Sequence, residues 1–191
     1  MSVLPSSEII KAISEAVHRA VVEVTRTDGK YCCLLYAFAG CVLSRRVLQR
    51  DYRLQAGSFH FKLKHQGERW MYWSARNNAL TGSFHAWYLC SHPYDVEIVD
   101  LSSRHYQGVA DAYHHERNQP LCETLVKMNP LWTWTEYLLE NGYVKFFPSQ
   151  ELVDQMNTLI TEKPIYFQAA QLAYKYFQSG PVRAQLLSGA I

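Results

Sequence analysis

Apolar positions recur every three to four residues near the start of the chain and every second residue in its middle. Ile9, Ile13, Ala16, Val17, Ala20 and Val24 share one face of a helix predicted over residues 6–25, which Ser6 or Ser7 can cap. Thr27-Asp28-Gly29 breaks the pattern. The apolar run over residues 31–48 has few breakers besides Gly40 and is too long for one strand, so it predicts a buried helix. Its small residues Cys33, Ala37 and Gly40–Cys41 fall on one face, which suits close approach to a sheet. From Tyr52 the period changes to two: Tyr52, Leu54, Ala56 and Ser58 alternate with Arg53, Gln55 and Gly57, and Phe59, Phe61 and Leu63 continue it. After the Gln66-Gly67 turn, strands are predicted over residues 69–74, 83–91 and 95–101.

Proline punctuates the last third at 120, 130, 148 and 164. Residues 134–140 read as a short helix and 144–147 as a short strand. A helix over 149–161 is capped by Ser149, with Glu151 in its first turn, and a last helix spans 164–177. Two helices, about four strands with hairpin-length connections, then further helices define an α+β chain with an antiparallel sheet. No repeat, low-complexity segment or linker divides it, so one domain over residues 1–191 is expected.

Composition adds limits. The net charge of +2 and the absence of a block of like charge give no electrostatic case for nucleic acid. No run of about 18 apolar residues predicts a membrane helix, and the N-terminus does not read as a signal peptide. The five cysteines, 32, 33, 41, 90 and 122, are odd in number and match no zinc spacing. Free thiols, a reducing compartment and a cytoplasmic location are therefore expected, with no metal and no cofactor.

A cysteine nucleophile needs a stabilised thiolate, a base in reach and a third group that orients the base. Cys32 and Cys33 stand at the predicted start of the buried helix, where free N–H groups favour an anion. His85 lies in one predicted strand and Asp100 near the end of the next. If those strands are neighbours, imidazole and carboxylate meet at one end of the sheet, where the helix can deliver its cysteine. A cysteine in an apolar helix is more often a small core residue, and a lone strand histidine is usually structural.

Local wording adds weight. Cys33-Leu34-Leu35-Tyr36-Ala37, then Tyr52-Arg53-Leu54-Gln55-Ala56-Gly57, then Phe84-His85-Ala86-Trp87, then Asp100-Leu101-Ser102 occur in order at compatible spacing over residues 31–103. This series resembles the transglutaminase-like, papain-related cysteine enzymes, and more loosely the cysteine-dependent arylamine acetyltransferases. The resemblance implies a papain-like core with the catalytic helix packed on an antiparallel sheet. It implies Cys33 as nucleophile, His85 as general base and then acid, and Asp100 as the residue orienting the imidazole. It also implies a peptide or small amide or ester as substrate, and a thioester intermediate.

The sequence departs from that pattern in places. Gln49-Arg50-Asp51-Tyr52 replaces the family's Gly-Ile-Pro turn, and one extra residue separates Cys33 from Arg53. Cys32 is a rival nucleophile. Arg26-Thr27-Asp28 stands where papain carries its oxyanion glutamine; the N–H of the nucleophile with Gln55 or Trp73 can substitute. Arg53 reads as a surface or strand-paired charge.

Other candidates carry less. His114-His115-Glu116 lacks a third ligand at motif spacing. His60 and His65 read as exposed, Cys90 as a buried strand residue, and Trp132 and Trp134 as cleft-lining or packed. The glycines form no phosphate loop. Two functions follow: a thiol hydrolase or acyl transferase, or an inactive member kept as a binding or interaction module. Retention of all three triad residue types favours the first.

Overall fold

The computed structural model describes residues 7–62, 70–73, 84–92, 95–105, 133–134 and 144–182. In chain order these form α1 (Ser7–Thr25), α2 (Cys33–Leu48), β1 (Arg53–Lys62), β2 (Trp70–Trp73), β3 (His85–His92) and β4 (Asp95–Val99). A 3-10 helix (Leu101–His105) follows, then β5 (Thr133–Trp134), β6 (Val144–Pro148), α3 (Gln150–Glu162) and α4 (Pro164–Gln178). The protein is α+β. Its strands run in the order β2-β1-β3-β4-β5, with β6 paired to β1, and every recorded pairing is antiparallel.

The sheet's two faces are set by its register. Ala56 opposes Ala86, Leu54 opposes Tyr88, and Tyr88 opposes Val99, so these residues share the helix-side face. They merge with Ile13, Val17 and Ala20 of α1, Leu43 of α2, Leu152 and Met156 of α3, and Ala169 and Ala173 of α4 in one apolar cluster. Small residues set the spacing. A Cβ on Gly40 would lie 2.7 Å from Leu101 and 2.8 Å from Tyr88, so α2 rests almost directly on the sheet. The Tyr88 hydroxyl pairs with Ser44 of α2 at 3.0 Å, which satisfies both polar groups inside the cluster.

Capping chemistry fixes the helix ends. Ser149 accepts a hydrogen bond from the Leu152 N–H, as its position in the sequence predicts. Gln49 ends α2 in the left-handed conformation, φ 53, and its N–H bonds to the Arg45 carbonyl. Arg45 and Arg46 occupy the last turn, where cations favour the helix dipole.

Two expectations are corrected. The strand read over 95–101 stops at Val99, and Leu101 opens a 3-10 helix instead. Asp100 caps that helix: its Oδ1 accepts from the Ser102 N–H at 3.1 Å and from the Ser102 hydroxyl at 2.7 Å. Leu101 continues the apolar period, but this cap wins over strand extension. Trp134, expected to begin a helix, lies in β5, where it pairs with Glu97 of β4. A cross-strand partner distant in sequence overrides the local period there. Residues 66–67, 114–116 and 122, on which a turn, a metal pair and a free thiol were expected, lie outside the described residues, as do 65 and 132.

Candidate active site

α2 and the β3–β4 hairpin meet where the candidate residues lie. Cys33 is the first residue of α2, and Cys32 is its N-cap. His85 opens β3. Continuing the β3–β4 register past Tyr88 and Val99 sets Asp100 across from Trp87, so Asp100 is a diagonal neighbour of His85 on one face. The side chains complete the contact: His85 Nε2 and Asp100 Oδ2 are 2.6 Å apart. His85 is 6% exposed and Asp100 3%, so the pair is shielded from water.

The ring is held from several sides. Phe59 of β1 stacks on it at 4.3 Å between centroids, 28° from parallel. Trp87 and Phe146 lie at 6.2 and 6.3 Å. These aromatics occupy the sheet face away from α2, where Gly57 opposes both His85 of β3 and Pro148 of β6. A Cβ on Gly57 would drive into the Phe147 carbonyl, so only glycine lets β6 close over this point.

The Cys33 thiol faces the Phe84 carbonyl at 4.0 Å, beside His85, and is near enough to act on the His85 ring. Nε2 is the ring nitrogen committed to Asp100. Burial favours a neutral imidazole. The Asp100 carboxylate, by charge and hydrogen bond, and the Cys33 thiol together outweigh it, and His85 is pushed up to about 10. The ring therefore favours its protonated form at neutral pH.

Cys32 is placed differently. Its sulfur points to the Lys30 carbonyl at 3.4 Å, and burial, then Cys33 and Asp28, push its thiol up. The other nominated residues stay apart. Cys90 is buried in β3, and burial raises it too. Arg53 pairs with Asp51 at 2.7 Å on the surface. Gln55 opposes Trp87, two residue pairs from the Gly57–His85 pair. The side chains of His60, Trp73 and Trp134 are outside the described set.

Several neighbours carry no sequence signal. Tyr166, in the first turn of α4, is buried edge-on against Phe38 of α2 at 6.1 Å and senses both thiols; burial first, then Cys33 and Cys32, raise its phenol. Tyr31 takes φ 61, uncommon outside glycine, two residues before Cys33, and is 72% exposed. Phe59 and Phe146 reach the ring only through strand register. Among the described residues no group of three or more metal-ligating side chains occurs.

Neither a protein-family model nor a curated protein matches the chain. A solved crystal structure, described only as that of a genomics target, shares its fold with a TM-score of 0.55. It is 12% identical, and the match covers 95% of this chain and 84% of that one. At that identity the likeness concerns the fold alone. Among the described residues no helix is long and apolar enough to cross a membrane.

Proposed function

We propose that this protein is a cysteine-dependent hydrolase or acyl transferase with a papain-like core, acting on an amide or ester of a peptide or small molecule. The observation that carries this reading is the buried 2.6 Å contact between His85 Nε2 and Asp100 Oδ2, with the Cys33 thiol against the carbonyl of the preceding residue, Phe84. A purely structural histidine needs one partner. An imidazole between a carboxylate and a thiol at a helix N-terminus has the three parts that nucleophilic catalysis requires.

Cys33 sulfur, as thiolate beside the His85 imidazolium, attacks the carbonyl carbon. The carbonyl electron pair moves to oxygen, and the Cys33 N–H at the start of α2 serves as a donor to the developing charge. Collapse of the tetrahedral adduct breaks the bond to the leaving nitrogen or oxygen, which takes the proton from Nδ1. A thioester and a neutral imidazole remain. Water, or an amine or alcohol in a transferase, then gives its proton to Nδ1 as it attacks the thioester, and thiolate leaves. Asp100 keeps Nε2 protonated throughout, so that Nδ1 does the exchange.

The test is capture of the acyl-enzyme. A panel of p-nitrophenyl esters and peptide amides, quenched in acid, should leave an acyl mass on the peptide carrying Cys33. Cys33→Ala should abolish the adduct and Cys32→Ser should retain it. Acylation that survives Cys33→Ala and disappears with Cys32→Ser would overturn the assignment.

A further inference from the structure

Away from the thiol, three aromatic residues from three elements converge. Tyr36 stands one helical turn after Cys33 in α2. Its hydroxyl lies 2.6 Å from His18 Nδ1 of α1 and 3.0 Å from His105 Nε2, at the end of the 3-10 helix. The His18 ring stacks on Tyr36 at 6.1 Å and 14°, and His105 meets Tyr36 edge-on at 5.6 Å. A Cβ on Gly29 would lie 2.6 Å from the same hydroxyl, so the loop before α2 is moulded to it; Gly29 has φ +83. Arg104 adds a second tie from the 3-10 helix to α1, 2.6 Å from Glu15.

This bridge joins the two halves of the candidate site. The 3-10 helix is the one capped by Asp100, and α2 is the one opened by Cys33. Nothing else described in the mechanism uses these three side chains. We propose that Tyr36, clasped by His18 and His105, is a positioning residue that locks the Asp100 segment onto the Cys33 helix, and that this lock opens in mild acid.

The acid response follows from donor and acceptor counting. A phenol O–H can donate to one neutral imidazole and accept from the N–H of another, so the bridge is complete with both rings neutral. Once both rings are protonated, every ring nitrogen is a donor. The phenol then keeps its own proton without an acceptor, and two cations face each other with centroids 5.9 Å apart. Arg104 and Lys30 add to the repulsion around His105, while Asp28 opposes it; Glu15 and Asp28 oppose the effect of Arg104 at His18. Burial is the first cause holding both rings below the usual histidine range. Cys32 and Asp28 are the remaining ionisable neighbours of the Tyr36 phenol.

The lock matters to chemistry only if Cys33, His85 and Asp100 react as proposed above, so the experiment reads the two separately. In a Cys32→Ser background, iodoacetamide labelling of Cys33 is followed by mass spectrometry from pH 5 to 8.5, with hydrogen exchange of residues 101–105 in parallel. Tyr36→Phe keeps the ring and should slow labelling at pH 7.5 roughly tenfold, in line with the sensitivity of reacting groups to small displacements. It should also speed exchange of the 3-10 helix. His18→Asn with His105→Gln places neutral amides near the former Nδ1 and Nε2 positions. That double variant should keep the labelling rate at pH 7.5 within about threefold, since neutral hydrogen bonding is retained, and should lose the decline between pH 6.5 and 5. A double variant whose pH profile coincides with the parent overturns the acid response. Unchanged labelling in Tyr36→Phe overturns the positioning role. His85→Ala tests the triad itself: if it leaves labelling untouched, the catalytic reading fails whatever the lock does.

Discussion

Replacing Asp100 by Asn should uncouple His85 from Cys33 while leaving the fold standing. The rise of His85 from 6.5 to about 10 corresponds to roughly 5 kcal/mol in favour of the imidazolium, net of burial. Without the carboxylate, burial dominates and the ring becomes neutral at pH 7. Its tautomer is then dictated by Ser102. The Ser102 N–H and hydroxyl both donate to Oδ1, at 3.1 and 2.7 Å, so the amide must set its oxygen there and turn its NH2 toward His85. Nε2 is forced to accept, and the proton moves to Nδ1, the atom that in the proposed mechanism receives protons from thiol or water. Both effects act in one direction, and labelling of Cys33 by iodoacetamide at pH 7 should fall roughly 100-fold or more. The His85 ring should titrate below 6.5 by NMR, and near-UV circular dichroism should report a native fold. Labelling within threefold of the parent, with the ring still protonated at pH 7, would refute both the charge coupling and the tautomer reasoning.

Two further outcomes test the surroundings. In a Cys33→Ala background, where no thiol exchanges a proton with the ring, Asp100 still raises His85, which contributes stability that is full below pH 6.5 and fades as pH rises through the raised value. His18 and His105, lowered on folding, contribute stability present above 6.5 and lost as pH falls below it. Urea midpoints across pH 5 to 10 should therefore fall on both sides of neutrality; Asp100→Asn should flatten the alkaline limb, and an alkaline limb that persists unchanged would exclude His85 as its source. Gly57→Ala should cost about 3 kcal/mol or more, because the new methyl meets the Phe147 carbonyl of a paired strand that cannot yield without losing its register. Loss of less than 1 kcal/mol in chemical denaturation would mean that β6 does not close there.

Much of this architecture is readable from periodicity, because the helices and long strands bury a single regular face. Ile13, Val17 and Ala20 mark α1, and the alternation from Tyr52 marks β1. What resists reading is decided at a distance. Trp134 lies in a strand because it and Thr133 pair with Glu97 and Ile98 of β4, about 35 residues earlier. Leu101 leaves the strand because Asp100 and Ser102 prefer each other to a cross-strand partner. Which of two adjacent cysteines lies nearer the imidazole depends on where α2 starts, and it starts at Cys33, two residues into the run predicted as helix. The Tyr36 bridge spans separations of 18 and 69 residues, for which no local pattern exists.

The contacts around His85 differ greatly in sequence distance. Asp100 follows it by 15 residues across one hairpin, whereas Cys33 and the Phe84 carbonyl are 51 residues apart. Hairpins close within microseconds, while docking a helix on a sheet must bring together segments of long contact order. During synthesis the imidazole–carboxylate unit can therefore assemble before the thiol reaches it. A nascent or partly unfolded chain has its thiol apart from the imidazole, and the proposed constellation exists only once α2 has seated. On the proposed reading, tertiary docking thus doubles as a safeguard, confining the thiol chemistry to molecules that have finished folding.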